Sequence, residues 1–252
     1  QYTLSSFTFT NAGATGIIGP SLKQIQTSYL SSSNGGSWTQ LTSNINCISR
    51  YQLLRIPQTG TYLITAAGAI GGNASGYSNL FYTNNGGRGI FITSSNQFNA
   101  GDLLTIVVGQ SGTTSPYTYS GGGGGGGTVC IQNYSNLIIA AGGGGGASAY
   151  GDGIDATILT TGAAGLGLST NGLNPGTSGN GADGGGGYTG GTGGGGYLTN
   201  GGNCFGNNGI TLRGNSYLQG YVGGYNVTAN IAYNGGFGGG GSGGGRYQQN
   251  GY

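Results

Sequence analysis

Apolar and polar positions alternate with a period of two in short runs through the first half of the chain, the spacing of a half-buried strand. Phe7-Thr8-Phe9-Thr10 is the first run. Leu53-Leu54-Arg55-Ile56 and Tyr62-Leu63-Ile64-Thr65-Ala66-Ala67 come next. The Pro/Gly turn Ile56-Pro57-Gln58-Thr59-Gly60 between them predicts that these two strands are antiparallel neighbours. Further strands are predicted at Arg88-Gly89-Ile90-Phe91-Ile92, at 103–108 after the turn Asn99-Ala100-Gly101-Asp102, at Thr128-Val129-Cys130-Ile131 and at 137–141. Several short strands at regular spacing predict an all-β sandwich with one modest core. A single short helix is predicted over 21–30, where SLKQIQTSYL follows the breaker Gly19-Pro20 and sets Leu22, Ile25 and Tyr29 on one face.

The pattern changes at residue 142. GGGGG, GGGGY, GGTGGGGY and GGFGGGGSGGG recur, with Asn-Gly turns at Asn171, Asn180, Asn200, Asn208 and Asn234. Two β-competent runs survive, 209–213 and 225–231. The chain therefore reads as a sandwich-forming segment, 1–141, which includes the first glycine run, and a glycine-rich segment, 142–252, the two building one composite domain.

Glycine makes up 65 of the 252 residues. It carries the largest backbone entropy cost on folding, and a run such as SGGGGGGGTV at 120–129 is ordinarily a flexible linker. Collagen requires a strict triplet and abundant proline, and the chain has four prolines. A third option is the extended left-handed form with three residues per turn, which lacks internal hydrogen bonds but can satisfy its obligatory backbone groups laterally when several copies pack together. Linkers are rich in Ser, Pro or charge. These runs are almost pure glycine bracketed by Val, Ile and Tyr, and there are enough of them to partner one another. The expectation is a packed polyglycine-II scaffold. Its first run is Gly121, Gly122, Gly123, Gly124, Gly125, Gly126 and Gly127, and its second Gly142, Gly143, Gly144, Gly145 and Gly146. Gly184, Gly185, Gly186 and Gly187 form the third, and Gly193, Gly194, Gly195 and Gly196 the fourth.

Charge is sparse, with six Lys and Arg against four Asp, and the cations are scattered. That excludes a phosphate-binding basic patch, so nucleic acid is not an expected partner. No apolar run approaches the roughly 20 residues needed to span a bilayer, so membrane insertion is not expected. The chain has no Met and begins at Gln1, which predicts a removed leader and an extracellular or cell-surface location. Three sequons, at Asn73, Asn133 and Asn226, are candidate glycosylation sites in that setting. Cys47, Cys130 and Cys204 are disulfide candidates; the odd count leaves one thiol over, and the pairing stays open.

The ordered set FTFTNAGATGIIGPS, IPQTGTYLITAAGAIGG, GGRGIFITSSNQFNAGDLLTIVVGQSG, GGGGGGGT and LIIAAGGGGG resembles the extracellular glycine-rich region of the anaplastic lymphoma kinase and leukocyte tyrosine kinase receptors. The motifs run in order over residues 7–146; beyond 146 only the glycine-rich character is shared. The resemblance implies a tumour-necrosis-factor-like, jelly-roll β-sandwich with packed polyglycine helices and little or no α-helix. The cysteines do not follow the receptor pattern, and no residues here carry the receptors' cytokine-binding surface.

Enzyme signals are weak. G-x-G-x-x-G matches everywhere because glycine is everywhere, and the lone lysine, Lys23, lies in SLKQ rather than in a phosphate loop. A Ser or Cys nucleophile needs a base, and the chain has no His. Asp152 and Asp155 in GDGID offer oxygen ligands for calcium or caps for a loop; Asp102 reads as a turn acceptor and Asp183 completes the acids. Tyr188, Tyr197, Tyr225 and Tyr247 follow glycine runs, either as an adhesive aromatic face or as edges of the glycine layer. Trp38 reads as a core anchor. No catalysis, cofactor or metal is expected. The function expected is a secreted structural protein, a self-associating subunit of an extracellular filament, appendage or coat. The alternative is an adhesin or receptor-like module binding a glycan or surface protein.

Overall fold

The computed structural model describes residues 6–31, 35–75, 83–115, 120–162, 174–185, 191–206, 209–226 and 233–244. Its regular structure is mostly β. Helix α1, Leu22–Leu30, starts from a capping box in which the Ser21 hydroxyl accepts from the Gln24 N–H and the Gln24 side chain accepts from the Ser21 N–H. Its buried residues are Ile25 and Tyr29. Strands β1 (Ile45–Ile48), β2 (Tyr51–Arg55), β3 (Gly60–Ala67), β4 (Ala74–Ser75), β5 (Thr83–Asn84), β6 (Phe91–Phe98), β7 (Leu103–Val107), β8 (Thr128–Gln132) and β9 (Asn136–Ala141) follow. Beyond them are β10 (Cys204–Gly206), β11 (Gly209–Leu212) and β12 (Tyr225–Asn226).

The main sheet has the order β1-β2-β7-β8-β9, and every neighbouring pair is antiparallel. β3 and β6 form a separate ribbon, β4 pairs with β5, and β10, β11 and β12 make a small sheet. β2 and β3 are therefore not the hairpin that the Pro/Gly turn predicts. The chain leaves the main sheet at Ile56, whose N–H donates to the Asp102 carbonyl, and crosses to the ribbon. Burial of Ile56 against both sheets, rather than the local turn, directs this step. Phe7–Thr10 forms no strand; Phe7 and Phe9 pack on the core while Thr8 and Thr10 face out.

The main sheet is buried on both faces. On one face Leu54, Leu104, Ile106, Cys130 and Ile139 meet Ala66 and Phe98 of the ribbon and Ile25 and Tyr29 of α1. On the other, Val107, Val129 and Ile131 meet Tyr217, Tyr221 and Phe237 from the C-terminal part of the chain. A buried polar cluster ties α1 to the sheet. The Tyr29 hydroxyl lies 2.6 Å from Gln52 Oε1, while Gln52 Nε2 donates to the Thr10 carbonyl (2.7 Å). This satisfies the Gln52 amide inside the core, where an unmet partner would be costly.

No disulfide forms; Cys47, Cys130 and Cys204 all remain thiols. The register explains this for the first two. Cys47 faces Gln52, Gln52 faces Ile106 and Ile106 faces Cys130. Three strand spacings, about 14 Å, separate them, against an upper limit of about 7 Å for a bridge. Cys204 starts β10 in a different sheet.

Candidate functional site: the glycine array

Five strands of the two sheets continue directly into glycine-rich segments that carry no strand or helix. β3 runs into 68–73, β7 into 108–115 and β9 into 142–147, while 85–90 leads into β6 and 121–127 into β8. Facing sheets ordinarily stand about 10 Å apart because side chains fill the gap. Without side chains the same strands close to hydrogen-bonding distance across the former gap. The Ala69 and Gly72 N–H groups donate to the Gly126 and Gly123 carbonyls (2.9 and 2.7 Å), joining the ribbon's extension to that of the main sheet. Gly144 and Ala147 donate in turn to Ala69 and Gly72, both at 2.9 Å.

Segment 121–127 lies at the centre, and its donors turn in strict rotation. Gly121, Gly124 and Gly127 donate to Gly244, Gly241 and Gly238. Gly122 and Gly125 donate to Ala147 and Gly144, and Gly123 and Gly126 to Thr113 and Gln110. Every third residue thus meets the same neighbour, at 2.8–3.0 Å throughout. A Cβ on Gly122, Gly123, Gly125 or Gly126 would overlap the carbonyl oxygen of Gly72, Asn234, Ala69 or Phe237. At Gly121, Gly124 and Gly127 the closest atoms stand at 3.1–3.3 Å. In the next run Gly143, Gly144 and Gly146 are closed in the same way, whereas at Gly142 the nearest atom is the Ala156 Cβ at 3.7 Å. The runs are glycine because backbone occupies the side-chain space, not because the backbone needs left-handed angles.

Outer segments carry side chains where they face away. In 108–115 the glycines are Gly109 and Gly112, three apart, and both would clash with segment 121–127. The fourth predicted run joins the array through Thr192 donating to Ser242 and Gly195 to Gly239. Of the third, Gly185 donates to Gly191 and a Cβ on Gly184 would overlap the Asn203 carbonyl, while Gly186 and Gly187 lie outside the described residues.

Asp152 and Asp155 belong to this bonding scheme. Asp152 Oδ1 accepts from the Asn85 N–H and Asp155 Oδ1 from the Arg88 N–H, each at 2.6 Å. Three residues apart on both segments, the carboxylates stand in for the carbonyls of a missing outer neighbour. Among the described residues no three His, Cys, Asp or Glu gather as a metal site. Asp102 accepts from the Asn99 N–H (2.9 Å), from Asn133 Nδ2 (3.2 Å) and from Gln132 Nε2 (2.7 Å), and these donors hold its carboxyl below the usual range.

The other candidates scatter. Asn73 Oδ1 accepts from the Gly86 N–H (2.9 Å) and the residue sits within the array. Asn133 is exposed in the β8–β9 turn, and the Asn226 sequon runs into residues outside those described. Tyr197 stacks on Tyr217 (5.4 Å) and Tyr217 on Tyr51 (5.2 Å), a packed column rather than an adhesive face. Tyr188 and Tyr247 lie outside the described residues. Trp38 packs edge-on to Phe7 at the core (5.1 Å).

No known protein-family model matches the chain, and no curated protein matches it.

One feature escapes the sequence reading. Asn133 and Tyr134 both take left-handed angles, φ 49° and 66°, in the β8–β9 turn. The turn is pinned by the Leu103 N–H donating to Asn133 Oδ1 (3.0 Å) and the Asn133 N–H to the Leu103 carbonyl (2.8 Å). Asn-Tyr where a hairpin favours Asn-Gly is the signal that could have found it.

Proposed function

We propose that this chain is a secreted, non-enzymatic structural subunit that self-assembles into an extracellular filament, appendage or coat. In this reading the sheets form a jelly roll of the tumour-necrosis-factor type, and the glycine array is a polyglycine-II bundle acting as a rigid scaffold. The three-residue rotation of donors along 121–127 supports the bundle, because a threefold helix turns its amides outward in that order.

Self-association is supported by the β3–β6 ribbon. Both strands are eight residues long and contain no charge and no proline. Among the described residues no other segment bonds to their backbones between 61 and 67 or between 91 and 98. Leu63 and Phe91 are 73% and 68% exposed on the outer face. Long uncharged edges of this kind pair with further strands unless they are blunted. β1 shows the contrast: its Ile45 and Cys47 N–H groups are taken by the Leu41 carbonyl and Asn46 Oδ1. No described helix is long and apolar enough to cross a membrane.

Electron microscopy and sedimentation across a concentration series test the reading. Regular polymers that appear with concentration, and that vanish when Leu63→Lys and Phe91→Lys are combined, are the expected result. A chain that stays monomeric at every concentration overturns it.

A further inference from the structure

We propose that the end of the main sheet remote from the glycine array binds an acidic sugar residue, with Tyr134 as the stacking wall and Arg55 as the carboxylate anchor. This site stands independently of the filament reading.

A shallow pocket of about 230 Å³ opens there. Ile48, Leu53 and Leu103 form an apolar floor, and Asn46, Arg55 and Tyr134 supply polar and aromatic walls. Arg55 is directly opposite Leu103 in the sheet, and its guanidinium reaches the Gly101 carbonyl (3.0 Å) at the pocket edge. No carboxylate lines the space. The neighbouring Asp102 spends both oxygens on Asn99, Gln132 and Asn133.

Tyr134 is the decisive element. Its ring is carried on a left-handed residue, a conformation uncommon for a bulky side chain. The chain has glycine in abundance and uses Asn-Gly turns repeatedly, yet places tyrosine here, 57% exposed and lining the pocket. Strained backbone that the surroundings hold in place concentrates at ligand sites. The Asn133 bonds to Leu103 and Asp102 hold it in place here.

The pocket is smaller than the roughly 300–1,000 Å³ of drug-sized sites, which suits one sugar ring rather than a peptide side chain with its backbone. The C–H face of a pyranose is apolar and lies flat on a phenol ring, whose body is apolar and whose tip is polar. Asn46 and the hydroxyls of Thr42 and Ser43 suit sugar hydroxyls. A guanidinium matches a carboxylate with two parallel bonds, and this selects a uronic or similar acid over a neutral sugar.

Titration of the full chain, followed by amide NMR shifts, tests this with three probes: digalacturonate, its neutral counterpart galactobiose, and a short acidic peptide. Wild type is expected to shift pocket resonances with digalacturonate. Tyr134→Gly relieves the turn, so it should keep or raise the Tm while binding about tenfold more weakly, the loss of one good contact. Arg55→Gln should bind the acidic and neutral disaccharides alike. The proposal is overturned if millimolar digalacturonate leaves the pocket unshifted, if Tyr134→Gly binds as wild type does, or if the peptide binds and the sugar does not.

Discussion

At the scale of single residues, neighbouring glycines are not equivalent. Gly142 and Gly143 are adjacent and identical in sequence, yet one faces Ala156 at 3.7 Å and the other abuts the Gly125 carbonyl. Gly142→Ala is expected to be neutral or to stabilise by about 0.4–1 kcal/mol, since it removes unfolded-state freedom without strain. Gly143→Ala is expected to cost at least the upper end of the usual 1–3 kcal/mol for overpacking, because rigid backbone cannot yield. Thermal melts of the two variants decide this; equal Tm values would remove the packing account. That glycine matters was legible in SGGGGGGGTV. Which glycines matter most was not, because the clash comes from Gly125, a residue distant in sequence.

Elements are joined by side chains that imitate backbone. Asp155 accepts the Arg88 N–H as a neighbouring carbonyl would. Asp155→Ala should cost about 1 kcal/mol, whereas Asp155→Asn, which keeps the acceptor oxygen, should cost much less. Millimolar calcium should leave the Tm unchanged, and a calcium-dependent rise in Tm would return the GDGID segment to the role of a cation site. The strands at 103–107, 128–132 and 136–141 and the helix at 22–30 were legible from periodicity. The stretch 88–90 was not separable from β6, because Arg88-Gly89-Ile90 has strand composition but its carbonyls and amides serve the array. The β2–β3 hairpin was misread because a turn signal reports a change of direction and not which sheet the next strand joins.

For the whole molecule, alkaline pH is the weak side. Burial pushes the Cys130 thiol up to about 12 from an ordinary 9, and raises Tyr51 and Tyr221 as well. These groups stay protonated in the fold while the unfolded chain loses their protons. The unfolded state then binds fewer protons, so stability falls as pH rises. Full stability is expected below about pH 9, with a progressive decline from pH 9 towards 12, measured by denaturant melts; a flat profile would contradict the burial of these groups. In hydrogen exchange, the amides of 122–127 should be among the slowest in the chain, since each donates inside the array. Fast exchange there would dissolve the scaffold.

The amino-acid sequence by itself determined the β character, the single short helix, the scarcity of charge and the need for glycine in unbroken runs, because each depends on local periodicity or on composition. Tertiary structure alone decided which strands share a sheet, that no two cysteines come within bridging reach, and that Asp152 and Asp155 complete a backbone network. It also decided that Tyr134 overlooks a pocket. These depend on which backbones meet across the gap between the two sheets, and in a chain with so few side chains to mark its contacts, that meeting leaves almost no trace in the order of residues.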